Sequence, residues 1–517
     1  MIGLDLGTTS CKAVVMDAAG RTVATASEAY DLLVPRPGWA EQDVLVIKDS
    51  VTRSLRSVAE SSPVAPTGIS FSGAMHSCFP VDAYGAPLAN AMTWADNRAA
   101  GLEPAARDEV DVPALYARTG CPVRSTYHPI RLRWWTEEAP DVARRARRFV
   151  SLKDWVLHYL TGIWATDLGL ASTTGLLDMT GLAWDPEALR VARIGPEALP
   201  ALVSSSAVVG GLTAGAAAAT GLPAGLPVIA GGSDGGMANL GTGISTPGQA
   251  VLSVGTSGAV RQLRDRPWLD RYERTWCYLL DEGRWFIGGA INNGGLALAW
   301  ARTTLYPELT PADGFRRLAA EAGAVPAGAG GVFVLPYFTG ERSPSWTPND
   351  PAMVYGLRLE HGRGHIARAA MEGVAHCLAD VWAVLPPPAA SGDVTRLTGG
   401  ITRTPVWAQI LADVVGVPLM ALDVADASAI GAALLGLRAL DRLPPDLEGA
   451  RLAGAAGPKG PVYSPGADRA FYLRHHEAFD ALRAVMRTQE DALATVIRAT
   501  SDAAAAAAAV STPANST

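Results

Sequence analysis

The amino-acid sequence predicts an α/β protein made of two domains that are built alike. Its 517 residues are too many for one hydrophobic core, so two domains of about 200–250 residues each are the natural expectation. Helical and strand-like patterns alternate along the chain. Residues 2–26 and 249–263 also share one design, a strand, a glycine–threonine turn and a second strand. We interpret this repeat as a duplicated domain.

The stretch 241–248 is the best candidate for the boundary between the domains, because it is rich in Gly, Ser, Thr and Pro. We therefore place a first domain at residues 1–244 and a second at 245–485. From residue 503 onward the chain is alanine followed by Ser, Thr, Pro and Asn. We predict that residues 486–517 form a frayed or disordered tail.

Composition and charge exclude several classes of partner. The chain has 43 Lys and Arg against 50 Asp and Glu, without the clustered basic face that binding along a nucleic acid needs. No apolar run is long enough to span a bilayer, and the N-terminus lacks the layout of a signal peptide. The five scattered cysteines are typical of reduced thiols. We expect a cytoplasmic protein that binds neither nucleic acid nor membrane.

The two glycine–threonine turns are candidate phosphate sites. Glycine lets backbone N–H groups face an anion, and threonine and serine hydroxyls add donors. An ordinary hairpin turn is the alternative for either turn alone. The carboxylate of Asp5 is costly to bury unless it is paired, and a magnesium ion is a suitable partner. The residues assigned to the two turns are Gly7, Thr8, Thr9, Ser10 and Lys12 in the first, and Gly255, Thr256 and Ser257 in the second.

A second candidate feature is a lone carboxylate, Asp234, inside the glycine-rich run 231–236. The run follows a β-branched strand, and ligands of α/β folds commonly bind where strands end. Transfer of a phosphoryl group to a hydroxyl needs an acceptor for the hydroxyl proton, and Asp234 suits that role. A turn or capping aspartate is an equally good interpretation of the local sequence.

A third cluster carries the side chains that a polyhydroxyl ligand needs. Trp94 can stack on a carbon skeleton, Asp96 can bond hydroxyls, and Arg98 can form a fork with a carboxylate. His76 follows a strand slightly earlier in the chain. The alternatives are a structural histidine, and a helix cap formed by Asp96 with an exposed Arg98.

The end of the strand-like stretch 394–397 is the last candidate feature. Gly399 and Gly400 follow it, and Thr404 stands before Pro405 as the predicted N-cap of a helix. A strand, two glycines and a helix N-terminus suit the edge of a nucleotide site. Such strand-to-helix connections are also common in α/β proteins without a ligand. The sequence contains no P-loop pattern.

Taken in order, these motifs resemble the FGGY carbohydrate kinases over nearly the whole chain. Two further stretches, 335–344 and 352–372, strengthen the resemblance. It implies an actin-like (ribonuclease H-like) fold in each half, a central cleft between the domains, ATP and Mg2+ as cofactors, and a sugar or sugar acid as substrate. A homodimer is a further expectation from the family.

The resemblance also implies roles for individual residues. Asp234 matches the catalytic base, and Asp5 together with Asp234 matches the acidic site for magnesium. The residues that match nucleotide contacts are Thr8, Thr9, Thr256, Gly295 and Gly400. Those that fall where family members hold the sugar are Met75, His76 and Trp94.

Within the family, residues 69–77 and 94–98 resemble gluconokinases most. This resemblance implies ATP-dependent phosphorylation of gluconate to 6-phosphogluconate. A gluconate site has to offset the charge of a carboxylate, and Arg98, His76 or Lys153 could do so.

Two alternatives stay open. One is a ketose or polyol kinase such as xylulokinase, since residues 129–131 are one residue shorter than the family's first signature and carry arginine in place of lysine. The other is an actin-fold sugar sensor without catalysis. The presence of Asp234 speaks against a sensor, as does the absence of a helix-turn-helix before the first strand.

Overall fold

Each half of the chain forms one large mixed β-sheet with helices packed against it, and the remaining strands of the described residues pair in five two-stranded sheets. The structure is a computed structural model. Its described residues are 1–244, 246–348, 350–388, 394–443 and 460–510, with side chains as far as residue 489. The architecture is the α/β arrangement that the alternating sequence patterns predict.

The N-terminal sheet has six strands in the order β13-β14-β5-β1-β2-β3. The strands of this half are β1 (Ile2–Leu6), β2 (Ser10–Met16), β3 (Thr22–Ala29), β4 (Glu41–Gln42), β5 (Ile69–Gly73), β6 (Phe79–Val81), β7 (Ala91–Met92), β8 (Arg148–Val150), β9 (Ala165–Asp167), β10 (Leu177–Asp178), β11 (Ala183–Trp184), β12 (Ala201–Val203), β13 (Val208–Gly211) and β14 (Pro227–Ser233).

The C-terminal sheet has seven strands in the order β17-β18-β16-β15-β21-β22-β23. The strands of this half are β15 (Ala250–Val254), β16 (Gly258–Arg264), β17 (Trp276–Asp281), β18 (Arg284–Ile291), β19 (Phe333–Leu335), β20 (Met353–Tyr355), β21 (Thr395–Thr398), β22 (Leu419–Ala421) and β23 (Val462–Tyr463).

Four adjacent strands of one sheet have the same order and relative direction as four adjacent strands of the other. In the N-terminal sheet, β1 pairs antiparallel with β2 and parallel with β5, and β14 continues in parallel beyond β5. In the C-terminal sheet, β15 pairs antiparallel with β16 and parallel with β21, and β22 continues in parallel beyond β21. The hairpins β1–β2 and β15–β16 are the two strand–turn–strand units of the sequence repeat. A duplicated domain predicts this equivalence.

The helices cover the sheets and join their strands. They are α1 (Val44–Ser61), α2 (Glu103–Asp108), α3 (Val112–Thr119), α4 (His128–Glu138), α5 (Pro140–Arg145), α6 (Leu152–Thr161), α7 (Leu168–Ser172), α8 (Pro186–Ala192), α9 (Ala214–Thr220), α10 (Asp234–Gly241), α11 (Gly295–Leu305), α12 (Pro311–Gly323), α13 (Arg363–Ala383), α14 (Pro405–Val415), α15 (Ala427–Ala439) and α16 (Arg469–Val510).

Helix α15 ties the two halves together, because it packs on the N-terminal sheet although it follows β22 of the C-terminal sheet in the chain. A Cβ atom placed on Gly3 of β1 would lie 1.9 Å from the carbonyl oxygen of Ala429. A Cβ atom on Gly431 would lie 1.9 Å from the carbonyl oxygen of Met237 in α10. Glycine at these contacts lets the backbones approach closely. The close packing also fixes α10, which begins at Asp234.

The C-terminal segment differs from the predicted frayed tail. Residues 486–510 continue α16 as far as Val510, and residues 511–517 lie outside the described residues. Alanine has the highest intrinsic helix propensity, so the alanine-rich stretch that we predicted to be disordered is helical. Earlier in the same helix, Tyr472 and Phe479 are buried in the core of the C-terminal half.

Two other expectations concern the thiols and the membrane. All five cysteines are free and buried, which agrees with their scattered spacing. Burial raises the pKa of Cys78 to about 12, so this thiol stays protonated near neutral pH. Among the residues that the structure describes, no helix combines the length and the apolar character needed to cross a bilayer.

The contact between α10 and α15 generates a stability prediction. We expect Gly431→Ala to lower the free energy of unfolding in urea by about 1–3 kcal/mol, because the added methyl group overpacks a backbone contact. The matched control is Gly215→Ala in α9, where a Cβ atom meets nothing within 4 Å. There the substitution is expected to stabilise by about 0.5–1 kcal/mol. Equal effects of the two substitutions would contradict the close packing.

Candidate active site

A cavity of about 250 Å³ lies between the two halves of the molecule. Its N-terminal wall includes Trp94 and Arg124, and its C-terminal wall includes Thr256, Glu341 and Arg342. Both walls therefore carry charged groups as well as polar or aromatic ones. We call this cavity the cleft, and the positions of the predicted site residues are described relative to it.

The second glycine–threonine turn meets two other segments that were predicted to contact nucleotide. The backbone N–H of Gly295 donates to the carbonyl oxygen of Gly255 over 2.6 Å. A Cβ atom on Gly399, whose φ is +91°, would lie 2.4 Å from the carbonyl oxygen of Val254. Only glycine allows both this φ and this approach. Three glycines that are far apart in the sequence therefore meet beside Thr256.

Thr404 begins its helix differently from the prediction. It precedes Pro405 at the first position of α14, shortly after Gly400, but its side chain makes no capping hydrogen bond. Its φ of −126° and ψ of 82° differ from the extended conformation typical of a capping residue. The predicted side-chain cap is therefore wrong, and the Thr404 hydroxyl does not serve the helix N-terminus.

The first glycine–threonine turn is held by polar side chains from other elements. The hydroxyl of Tyr30 donates to the carbonyl oxygen of Gly7 over 2.7 Å, and the Gln42 amide donates to that of Thr8 over 2.8 Å. The indole Nε1 of Trp94 donates to the Thr8 hydroxyl over 3.1 Å. The first turn therefore lies beside the cavity that Trp94 lines.

The remaining residues of this turn have different surroundings. Thr9 is exposed, and Ser10 begins β2. Lys12 lies opposite Asp5 in the β1–β2 pair, and its Nζ forms a 2.9 Å ion pair with Asp426. The ammonium group that was predicted to contact phosphate is thus paired with a carboxylate at the start of α15.

Asp5 and Asp234, the two carboxylates predicted to hold magnesium, are close enough to influence each other. Asp5 Oδ1 accepts a hydrogen bond from the Ser72 hydroxyl over 2.6 Å. Burial raises the pKa of Asp5 to about 7; the Ser72 hydrogen bond opposes this rise, and the charge of Asp234 adds to it. Carboxylate oxygens that repel one another in this way fit the needs of a divalent cation such as Mg2+.

Asp234 is the first residue of α10 and directly follows β14. The side chain of Ser233 caps the helix by accepting the N–H of Gly236. Burial raises the pKa of the Asp234 carboxyl, whereas the guanidinium of Arg261 and the N–H of Gly235 lower it. A carboxylate of raised pKa is better matched than an ordinary aspartate to accept a hydroxyl proton near neutral pH.

Met75 lies beside Asp234 at the turn after β5, and His76 follows Met75 in the chain. The backbone N–H of Met75 helps to hold the Asp234 carboxylate in its charged form. The His76 ring packs edge-on against Tyr127 with 5.2 Å between the ring centroids. Burial lowers the pKa of His76 well below its usual value, and the charge of Arg131 lowers it further. The imidazole is therefore neutral and offers no charge to a substrate carboxylate.

Asp96 and Arg98 form a buried ion pair beside the cavity rather than part of its wall. Arg98 Nε donates to the two Asp96 oxygens over 2.9 and 3.0 Å, and its Nη2 donates to Glu41 over 2.6 Å. The Arg98 side chain is 2% exposed, and its guanidinium lies 3.6 Å from the ring centroid of Trp39. The prediction that Asp96 and Arg98 contact substrate does not fit this arrangement, because both are engaged within the fold.

Lys153, the third cation considered for a substrate carboxylate, is also engaged. Its Nζ forms a 2.7 Å ion pair with Asp167, and neither side chain is exposed. The same Nζ donates to the carbonyl oxygen of Ala230 over 2.9 Å. A lysine buried in this way stabilises the N-terminal half and cannot reach a ligand in the cavity.

Three charged residues near the site were not predicted from the sequence: Glu341 and Arg342, which line the cavity, and Arg261, whose charge acts on Asp234. Arg261 lies in β16, where its Nη1 donates to the Ser253 hydroxyl over 3.0 Å. Burial raises the pKa of Glu341 to about 7. Two features of the sequence could have identified them. Arg261 is a charged residue in a largely apolar strand, and Glu341 and Arg342 lie in the stretch 335–344, which resembles the kinase family but was given no residue roles.

The arrangement around Arg98 generates a prediction that separates a structural residue from a substrate ligand. We expect Arg98→Met to lower the free energy of unfolding in urea by about 3–5 kcal/mol, because two buried carboxylates lose their partner. The matched control is Arg21→Met, since Arg21 is 70% exposed in its pair with Asp17. Its effect is expected to stay within about 1 kcal/mol.

The opposite pattern would restore the original assignment of Arg98. An Arg98→Met protein that unfolds like the wild type, but has a KM for its phosphate acceptor raised at least about 10-fold, would identify Arg98 as a substrate ligand. A hydrogen bond to a charged group accounts for a loss of that size.

Comparison with known proteins assigns the chain to a family. Residues 1–241 match the FGGY family of carbohydrate kinases, N-terminal domain, and residues 250–440 match the C-terminal domain. The chain is 35% identical to a gluconokinase of Bacillus licheniformis over 86% of this chain and 88% of that protein.

Solved structures of sugar kinases have the same fold. A ligand-bound xylulose kinase from Lactobacillus acidophilus superposes with a TM-score of 0.87 at 29% identity, over 94% of this chain and 98% of that one. A gluconate kinase from the same organism gives 0.86 at 28% identity, over 94% and 97%. These matches confirm the predicted two-domain α/β kinase fold. The chain therefore belongs to the FGGY family of carbohydrate kinases, which transfer a phosphoryl group from ATP to a sugar-type substrate.

Proposed function

We propose that the chain phosphorylates gluconate with ATP, giving 6-phosphogluconate and ADP. The observation that carries the proposal is the position of Asp234, a carboxylate of raised pKa at the start of the helix that packs against the C-terminal half. The identity with a curated gluconokinase, 35% over most of both chains, supports gluconate as the acceptor.

In this proposal, Asp234 accepts the proton of the gluconate C6 hydroxyl while the hydroxyl oxygen bonds to the γ-phosphorus of ATP. The bond from the γ-phosphorus to its bridging oxygen breaks, and ADP leaves with that electron pair. Arg261 favours the charged form of Asp234 before the transfer. Trp94 and neutral His76 would hold the carbon chain and hydroxyls of the sugar, with Met75 beside them.

Asp5 and Asp234 are the residues that would hold Mg2+. Their mutual repulsion, which adds to the raised pKa of Asp5, supports this role because a bound cation would relieve it. The ion would spread the negative charge of the transferring phosphoryl group.

The proposed nucleotide contacts come from both glycine–threonine turns and the glycines that meet the second one. Backbone N–H groups and hydroxyls at these positions suit phosphate oxygens. Lys12 would contribute its charge from its ion pair with Asp426. The proposed contacts are Gly7, Thr8, Thr9, Ser10, Gly255, Thr256, Gly295, Gly399, Gly400 and Thr404.

A ketose kinase is the second candidate function. The backbone is as similar to the solved xylulose kinase as to the solved gluconate kinase, with TM-scores of 0.87 and 0.86. Such a substrate has no carboxylate, so it would need no cation in the sugar site.

A substrate panel separates the two candidates. We expect ADP release from the wild-type protein to give the highest kcat/KM with gluconate when gluconate, xylulose, ribulose, erythritol and glycerol are compared at fixed MgATP. Turnover of xylulose without turnover of gluconate would replace the proposed substrate.

The role of Asp234 gives a second prediction. We expect Asp234→Asn to lower kcat by about 10²- to 10⁴-fold, because the amide cannot accept the hydroxyl proton. Binding of ATP, followed by calorimetry, is expected to persist. The matched control is Asp82→Asn, since Asp82 accepts the N–H groups of Tyr84 and Ala86 in an exposed turn. Near-normal turnover by Asp234→Asn would remove Asp234 from the role of base.

A further inference from the structure

A sugar acid brings a negative charge into the cleft, and the cations that the sequence suggested for it are not available. Arg98 is committed to Asp96 and Glu41, and Lys153 is committed to Asp167. His76 is buried and neutral. The charge of the carboxylate therefore has to be met by another group that faces the cavity.

Two arginines line the main cavity, and they differ in how far they are engaged. Arg124 donates to Glu103 over 2.9 Å, so it has a carboxylate partner. The guanidinium of Arg342 has a single hydrogen bond within the described ranges, from Nη2 to the carbonyl oxygen of Ile291 over 3.2 Å. Because a guanidinium carries five N–H donors, most of the donors of Arg342 remain free for a ligand.

The acidic neighbour of Arg342 does not neutralise it through a direct contact. Glu341 Oε1 accepts the backbone N–H groups of Asn292 and Arg342 over 3.0 and 2.8 Å, which turns that oxygen toward the main chain. Across the described part of the chain, no carboxylate forms an ion pair with the Arg342 guanidinium. The Arg342 Nε is buried and has no hydrogen-bond partner. A desolvated guanidinium of this kind is costly unless an anion binds to it.

The position of Arg342 relative to the sugar site indicates which anion this is. Its guanidinium lies 5.1 Å from the ring centroid of Trp94, which bonds the Thr8 turn, and it also lines the small cavity that includes His76 and Tyr127. Both Trp94 and His76 belong to the proposed sugar site. Arg342 therefore faces the substrate from the C-terminal wall.

The guanidinium of Arg261 interacts with the proposed base and not with the proposed sugar site. Arg261 donates to Ser253, and its charge acts on Asp234, so it belongs to the proposed base. Arg342 is left as the cation without an acidic partner at the sugar end of the cleft.

We propose that Arg342 binds the carboxylate of the sugar acid and thereby sets the preference of the enzyme for an acid over a neutral polyol. This inference rests on the proposed function and names the residue that would determine its specificity. The planar guanidinium can bind a carboxylate through two parallel N–H bonds, and such charged bonds are about twice as strong as neutral ones.

The test compares gluconate with gluconamide, which keeps the same carbon chain and C6 hydroxyl but has no charge. We expect the wild-type protein to prefer gluconate by about 10- to 100-fold in kcat/KM, which is the range for hydrogen bonds to a charged group. Arg342→Gln is expected to lose about 10- to 100-fold with gluconate and to change by less than about threefold with gluconamide. Arg342→Lys keeps the charge but loses the two parallel N–H donors. Its kcat/KM with gluconate is expected to lie between those of the wild type and Arg342→Gln.

The matched control is Arg124→Gln, which removes an arginine from the opposite wall of the same cavity. Because Arg124 is paired with Glu103, we expect its substitution to change kcat/KM for the two substrates by the same factor. Turnover of gluconamide by Arg342→Gln would also show that this variant is folded.

Three outcomes would overturn the inference. If the wild-type protein has the same kcat/KM with gluconate and gluconamide, the inference about Arg342 fails, whereas the proposed phosphorylation of gluconate still stands. Equal losses with both substrates in Arg342→Gln and Arg342→Lys would assign Arg342 to the phosphoryl group or to the fold. A wild-type protein that phosphorylates neither compound but turns over xylulose would reject the proposed function itself, and the inference with it.

Discussion

The close backbone approach of α15 to α10 and β1 is the constraint on which the site depends. Gly3 and Gly431 remove the side-chain atoms that would otherwise hold these elements apart. One helix thereby touches both the strand that carries Asp5 and the helix that begins with Asp234, and the Ser428 hydroxyl in α15 donates to the Asp234 carbonyl oxygen over 3.3 Å. The relative position of the two carboxylates follows from this close backbone packing, which resists deformation.

Charged residues near the cleft fall into two groups that differ in function. In the first group, such as Arg98 with Asp96, each charge has a buried partner and contributes to the fold. In the second group, which includes Asp5, Asp234 and Arg342, burial shifts the pKa without a complete set of partners. A desolvated charge without a partner is unstable until an ion of opposite sign arrives. The second group is therefore the one that we propose to bind ligands.

The sequence alone predicted those features of the fold and the site that depend on local interactions. Both glycine–threonine hairpins and the placement of Asp234 after a strand follow from neighbouring residues, and the structure has them as predicted. The role of Arg98 could not be predicted, because it is set by Glu41, a residue distant in the chain. Arg342 was missed for the same reason, since its significance lies in its approach to Trp94 across the cleft. Local patterns identify elements, whereas partners across a cleft require the fold.

The duplicated architecture explains why a single site forms between two similar halves. Asp5 and Ser253 are each the next-to-last residue of the first strand in their hairpin. In the N-terminal hairpin this position holds a carboxylate, and in the C-terminal hairpin it holds a hydroxyl that accepts a hydrogen bond from Arg261. The N-terminal position is thus acidic, whereas the C-terminal position binds the basic side chain of Arg261, and the charge of Asp234 interacts with both Asp5 and Arg261. Two identical acidic hairpins would repel each other and the phosphates that we propose to bind between them, whereas this difference in charge would let both halves contact the same ligand.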